Sequence, residues 1–157
     1  MVNLHDLYSE RILELAANIP HTRRLEAPHA SASAHSKLCG SKIAVDLEMD
    51  GDVVTAYGQD VKACLLGQSS ASIMGRHIVG SSAAELRQIA RDMRRMLKEG
   101  GEPPAGKWGD LAILEPVRDY KARHASTLLV FDAVEDALGQ IERMRETGQP
   151  VKISAVD

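Results

Sequence analysis

Cys39 and Cys64 are the residues of this chain best suited to nucleophilic, redox or metal-ligating chemistry. Cys39 sits in Leu38-Cys39-Gly40-Ser41, at the expected turn between two strands. Gly40 permits a tight backbone there and leaves the thiol accessible. Cys64 follows Lys62 and stands at the expected N-terminus of a helix. Free backbone N–H groups and the helix dipole favour a thiolate at such a position. The competing reading is two small buried residues, since free Cys is among the most buried types. Spacing alone, with no CxxC, favours that reading. His35 is the nearest imidazole to Cys39 along the chain. It is a candidate metal ligand, or else a strand residue facing solvent or packing on the sheet. His124, in Arg123-His124-Ala125-Ser126, is a second candidate ligand near the start of the last helix, or else a surface histidine. His77 ends a helix, where a cation suits the dipole.

The elements that must position these residues follow from hydropathy. Leu4, Leu7, Tyr8, Ile12 and Leu15 recur at helical spacing, and Pro20 ends that first helix. His21 to Pro28 reads as an irregular, partly basic connection. Ala30 to Ala34 alternates small apolar and polar residues, as a strand does. Ile43, Val45, Leu47 and Met49 alternate with polar or small residues, giving a strand with one buried face. Asp50-Gly51 turns the chain, and Val53 to Tyr57 returns as the hairpin partner. Cys64 to His77 is a helix rich in Gly, Ser and Ala, able to pack its backbone close to a neighbour. Ser82 and Glu85 form a capping box for the next helix. That helix turns Leu86, Ile89, Ala90, Met93 and Leu97 inward. Arg87, Arg91, Arg94, Arg95 and Lys98 make its outer face, a solvated surface or a dock for an acidic partner. Asp110 is placed to cap a short helix bearing Leu111, Leu114 and Val117, limited by Pro116. A final helix from about Lys121 to Arg145 carries Leu128, Phe131, Val134, Leu138 and Ile141. Strands first and helices afterward predict an α+β fold.

At 157 residues the chain fits one domain, with a core over about 4–145 and a tail after it. Aromatic residues are only 3 %, so aliphatic side chains must build that core. A net charge of −3 gives no global pull toward nucleic acid or an anionic membrane. No apolar run is long enough to span a bilayer, and the N-terminus lacks a signal-peptide pattern. A cytoplasmic protein is expected, with reduced cysteines. No Walker loop, GxGxxG, HExxH or GxSxG is present.

In this order the segments resemble the U-type scaffolds of iron–sulfur assembly, the family of IscU, SufU and the NifU N-terminal domain. Leu7-Tyr8-Ser9-Glu10-Arg11-Ile12-Leu13 is similar to that family's first helix. Cys39-Gly40-Ser41-Lys42-Ile43 resembles its Cys-Gly-Asp loop and the strand that follows. The Asp50-Gly51-Asp52-Val53-Val54 hairpin fits as well. Cys64 through Met74 resembles the second cysteine and its Ser/Ala-rich helix. Gly109 to Leu114, then Arg123 to Leu129, resemble the approach to the third cysteine, in the manner of the SufU branch.

The resemblance implies a small antiparallel three-stranded sheet packed on one side by helices. It implies a scaffold or carrier rather than an enzyme, holding a transient iron–sulfur cluster or zinc at Cys39 and Cys64. It implies a cysteine desulfurase and other assembly proteins as partners, with room for a homo-oligomer. In the family, three cysteines and an aspartate surround the metal. Here Ser41 stands at the aspartate position and Ser126 at the third cysteine, so the ligand set is incomplete and a bound metal is not required. Cys39, Cys64, Ser41 and Ser126 are expected to converge. A partner-binding or regulatory protein of the same fold, with vestigial thiols, is the rival reading. A zinc protein that recruits His35 or His124 is another.

Overall fold

The computed structural model describes residues 8–148. Leu4, Leu7 and the expected tail beyond 148 lie outside the described residues. Helix α1, Glu10–Ala17, opens at Ser9, whose hydroxyl accepts the Ile12 N–H. Its apolar residues Ile12 and Leu15 are buried, and it packs on the later helix α2, Leu65–His77.

Strands β1 (Ala30–His35), β2 (Lys42–Asp50) and β3 (Val53–Lys62) form one antiparallel sheet in the order β1-β2-β3. The alternation in β2 does what period 2 requires: Ile43, Val45, Leu47 and Met49 are buried. The opposite face of β2 carries Asp46, also buried. Its carboxylate accepts two hydrogen bonds from the Arg24 guanidinium, one from the Leu25 N–H and one from the Ser31 hydroxyl. Burial opposes the charge on Asp46, but Arg24 and the other donors win and hold its pKa below the usual carboxylate value. The irregular connection around residue 24 is thereby fastened across the sheet.

Strand β3 continues past Tyr57 to Lys62, where the sequence suggested an earlier end. Gly58 breaks the apolar alternation, yet it is required. A Cβ there would stand 2.5 Å from the Arg23 carbonyl oxygen, where the connection crosses. Gln59 then donates to the carbonyls of Pro20 and Ala71, tying β3 to α2 and to the end of the α1 region.

Helix α3, Ala83–Glu99, opens at Ser82, which accepts the Glu85 N–H as expected. The basic face of α3 is solvated at Arg91, Arg95 and Lys98 and partly engaged within the molecule. Arg87 pairs with Glu142, and Arg94 with Asp132 and Glu135, all on helix α4, His124–Thr147. Part of the charge run is therefore internal glue.

The short helix expected after Asp110 is instead a 3₁₀ segment over Gly106–Asp119, with Pro116 inside it. Trp108, Leu111, Leu114 and Val117 are buried at every third position, which matches three residues per turn rather than 3.6. Asp110 does not serve as its cap, since the segment begins earlier; it pairs with Arg11 at 3.1 Å. A single 3₁₀ turn, Lys121–Arg123, precedes α4, so the last helix begins three positions later than expected, at His124. Helix α4 packs on β1, β2, α2 and α3. No helix among the described residues is long and apolar enough to cross a membrane.

Close approach of α2 to α4 occurs at Gly67. A Cβ at this position would lie 2.8 Å from the Ala63 Cβ and 3.1 Å from the Ser126 carbonyl oxygen. Gly67→Ala is expected to lose about 1–3 kcal/mol in urea unfolding, because backbone must move to admit the methyl group. Gly139→Ala serves as the control. It lies within α4 and would meet mainly the far end of the Arg143 side chain. Its higher helix propensity should leave stability unchanged or raise it by up to about 1 kcal/mol. Equal losses in both variants would show that the α2–α4 approach is not special.

Candidate functional site

The β1–β2 connection forms the mouth of the site. The Ser36 N–H donates to the Ser41 carbonyl and the Gly40 N–H to the Ser36 carbonyl, each at 2.8 Å. Gly40 has φ of 75°, a left-handed conformation that suits glycine. This tight loop presents Cys39 to solvent beside Leu38, which is 73 % exposed. Cys64 caps α2 at the end of β3 and is half-buried. The first turn of α4 supplies Ser126, which is buried.

These elements converge as the sequence predicted. Ser41 Oγ is 3.0 Å from Cys39 Sγ and accepts the Cys64 N–H at 3.3 Å. Cys64 Sγ donates to Ser126 Oγ at 3.4 Å. Cys39 Sγ also meets the Ser36 hydroxyl at 3.5 Å. Ser41 therefore links the Cys39 sulfur to the Cys64 backbone, and Ser126 contacts the Cys64 sulfur. Cys39, Cys64 and Ser126 line a cleft of about 430 Å³ together with Leu38, Tyr120, Lys121, Ala122 and Arg123. The Arg123 guanidinium stacks over the Tyr8 ring at 5.7 Å, which steadies one wall.

The hydrogen bonds that favour a thiolate gather on Cys39. Burial pushes its pKa up, but hydrogen bonds with Ser36, with the hydroxyl and backbone N–H of Ser41, and with Ser126 outweigh it and hold the thiol at about 7. The stabilisation of Cys39 comes from the hydroxyls of its own loop rather than from a helix terminus. Ser36 was missed in the sequence. Its signal was a second hydroxyl residue on the short connection that carries Cys39.

The histidines take other roles. His35 ends β1, exposed and opposite Lys42, and does not line the cleft. His124 is buried at the start of α4, and its Nε2 donates to the carbonyls of Val117 and Arg118 at 3.1 Å. It satisfies the end of the 3₁₀ segment rather than facing the sulfurs. His77 packs edge-on against Trp108, and burial lowers its pKa, so it is neutral near pH 7 and is not a dipole-facing cation. Among the described residues, no group of three or more His, Cys, Asp or Glu converges to hold a metal. The donor set at the cleft is two thiols and two hydroxyls. A closed zinc centre uses four ligands drawn from thiolate, imidazole and carboxylate, so this set does not complete one.

Alkylation of the metal-free Cys64→Ser chain should report Cys39 directly. Its rate is expected to rise with a midpoint near pH 7. Adding Ser41→Ala removes a donor to the thiolate, so the midpoint should move up by roughly one unit and the rate at pH 7 should fall. A parent midpoint already at the ordinary thiol value of about 8.5 would contradict the hydrogen-bond account.

No family model matches the chain. A crystal structure described as a nitrogen-fixing NifU-like protein (N-terminal) from Brucella abortus superposes with a TM-score of 0.88 at 53 % identity. The match covers 89 % of this chain and 97 % of that one. The iron-sulfur cluster assembly scaffold protein IscU of Thermotoga maritima is 25 % identical over 87 % of this chain and 96 % of its own. The zinc-dependent sulfurtransferase SufU of Bacillus subtilis is 23 % identical over 89 % of this chain and 95 % of its own. With the sheet, the helix order and these likenesses in agreement, the chain belongs to the U-type scaffold family, that of NifU-like N-terminal domains, IscU and SufU.

Proposed function

We propose that this chain is an iron–sulfur cluster assembly scaffold or carrier, with Cys39 and Cys64 as the thiols that hold its cargo. The observation that carries this reading is the shared cleft, lined by both cysteines, in which Ser41 contacts Cys39 Sγ and accepts the Cys64 N–H. Family membership supplies the chemical context. The cargo is sulfur delivered by a cysteine desulfurase, ferrous iron, or the nascent cluster built from both. Cys39 is the receiving thiol because it is exposed at the cleft mouth, while Cys64 sits deeper at a helix terminus.

The protein holds and passes on its cargo and has no turnover of its own. Clusters are normally held by four thiolates or close variants. Two thiolates therefore need further ligands from a second copy of the chain or from an acceptor. The hydroxyls of Ser41 and Ser126 stay protonated near neutral pH and serve the sulfurs as hydrogen-bond partners rather than as anionic ligands. The working unit is one domain over about residues 4–145, in the cytoplasm, where thiols stay reduced.

Resident zinc is a second reading, favoured by the zinc-dependent Bacillus subtilis relative. The donor set argues for weak binding, and the fit is open to repair. Ser41→Asp with Ser126→Cys supplies two anionic donors and should tighten zinc by about tenfold or more in a competition titration. No gain would mean that other groups already complete the shell.

The scaffold reading itself is tested by anaerobic reconstitution with ferrous iron and a sulfide source. Wild-type protein should retain iron and acid-labile sulfide through desalting. Cys39→Ser and Cys64→Ser should each lose most of both. Retention unchanged in both variants would remove the two thiols from the function.

A further inference from the structure

The two cysteines of the cleft differ in access, and no third cysteine exists in the chain. Cys39 is exposed on a glycine-containing loop, and Cys64 is half-buried beneath it. Ser41 and Ser126 join them through short contacts. A disulfide needs Cβ atoms about 4 Å apart, and the Ser41 contacts and the common cleft bring both cysteines to one place. Neither serine competes as a sulfur nucleophile.

We propose that the pair is a sulfide-releasing dithiol, in which Cys39 carries a persulfide and Cys64 discharges it by closing a Cys39–Cys64 disulfide. This deepens the scaffold reading and rests on it. In the first step the Cys39 thiolate attacks the outer sulfur of a persulfide donor, and the donor leaves as its thiol. In the second, the Cys64 thiolate attacks Cys39 Sγ. The bond between Cys39 Sγ and the outer sulfur breaks, and its electron pair leaves with the outer sulfur as hydrosulfide. The new bond joins the two cysteine sulfurs, so the cysteine pair is oxidised by two electrons and the outer sulfur is reduced to sulfide. A dithiol reductant returns the pair to its starting state, as in thiol–disulfide exchange generally. The cleft thereby delivers sulfur in the oxidation state that a cluster needs, without a resident metal.

The test uses the full chain, reduced and metal-free, under anaerobic conditions, with glutathione persulfide as the donor. Wild type should release about one sulfide per chain and become two hydrogens lighter, with peptide mapping joining Cys39 to Cys64. Cys64→Ser should instead remain one sulfur heavier at Cys39 and release sulfide about a hundredfold more slowly, having lost its intramolecular partner. Cys39→Ser should take up little sulfur. Wild-type mapping stands alone should a variant fail to fold. A wild-type persulfide as long-lived as that of Cys64→Ser, or one found on Cys64 with no disulfide, would overturn the proposal. Iron and sulfide loading is measured on the same samples. Loading without disulfide formation overturns the relay and leaves the scaffold reading standing. Disulfide formation without loading supports the relay and counts against the scaffold reading.

Discussion

The site depends on how closely the first turns of α2 and α4 approach. A Cβ at Gly67 would stand 3.1 Å from the Ser126 carbonyl and 2.8 Å from the Ala63 Cβ, so a side chain there would crowd both. That contact sets Cys64, three residues earlier on the chain, against the Ser126 hydroxyl. The rest of the fold serves the same meeting point. The β-hairpin connection brings Cys39 in from the sheet edge, and Ser41 binds it to the Cys64 backbone. The 3₁₀ segment, anchored through Trp108 to Glu85 and through Asp110 to Arg11, feeds the chain into the turn that opens α4.

Hydroxyl groups give this cleft its character. A carboxylate at Ser41 or a thiolate at Ser126 would add negative charge and suit a cation. Neutral serines do the reverse: a hydroxyl such as that of Ser41 can donate to sulfur and favour a thiolate without adding charge. This explains how Cys39 keeps a lowered pKa through hydroxyl and backbone hydrogen bonds. It also explains how a cleft of two thiols and two hydroxyls is suited to holding sulfur.

Much of this was legible in the chain. The period-2 run of β2, the Ser82 cap and the small-residue helix each state a local rule that tertiary packing obeys. The convergence of Cys39, Cys64, Ser41 and Ser126 followed from the family resemblance, because contacts between residues so far apart have no local signature. Other features stayed hidden for physical reasons. The every-third spacing of Trp108, Leu111, Leu114 and Val117 looks like a helix stripe until length is considered, and 3₁₀ runs so long are uncommon. Gly58 reads as a strand end, although it is the gap through which the Arg23–Leu25 backbone passes. The pairing of Arg87 and Arg94 with α4 depends on which helix packs beside them. Ser36 showed its role only when the loop closed on itself.

The central claim is that Cys39 and Cys64 act as one dithiol site. A trivalent arsenical such as phenylarsine oxide binds two thiols together far more tightly than one, and so measures this directly in the native, metal-free protein. The account predicts one tightly bound arsenical per chain, displaced by a small dithiol and lost in both Cys39→Ser and Cys64→Ser. Binding to wild type no tighter than to either single variant would contradict it.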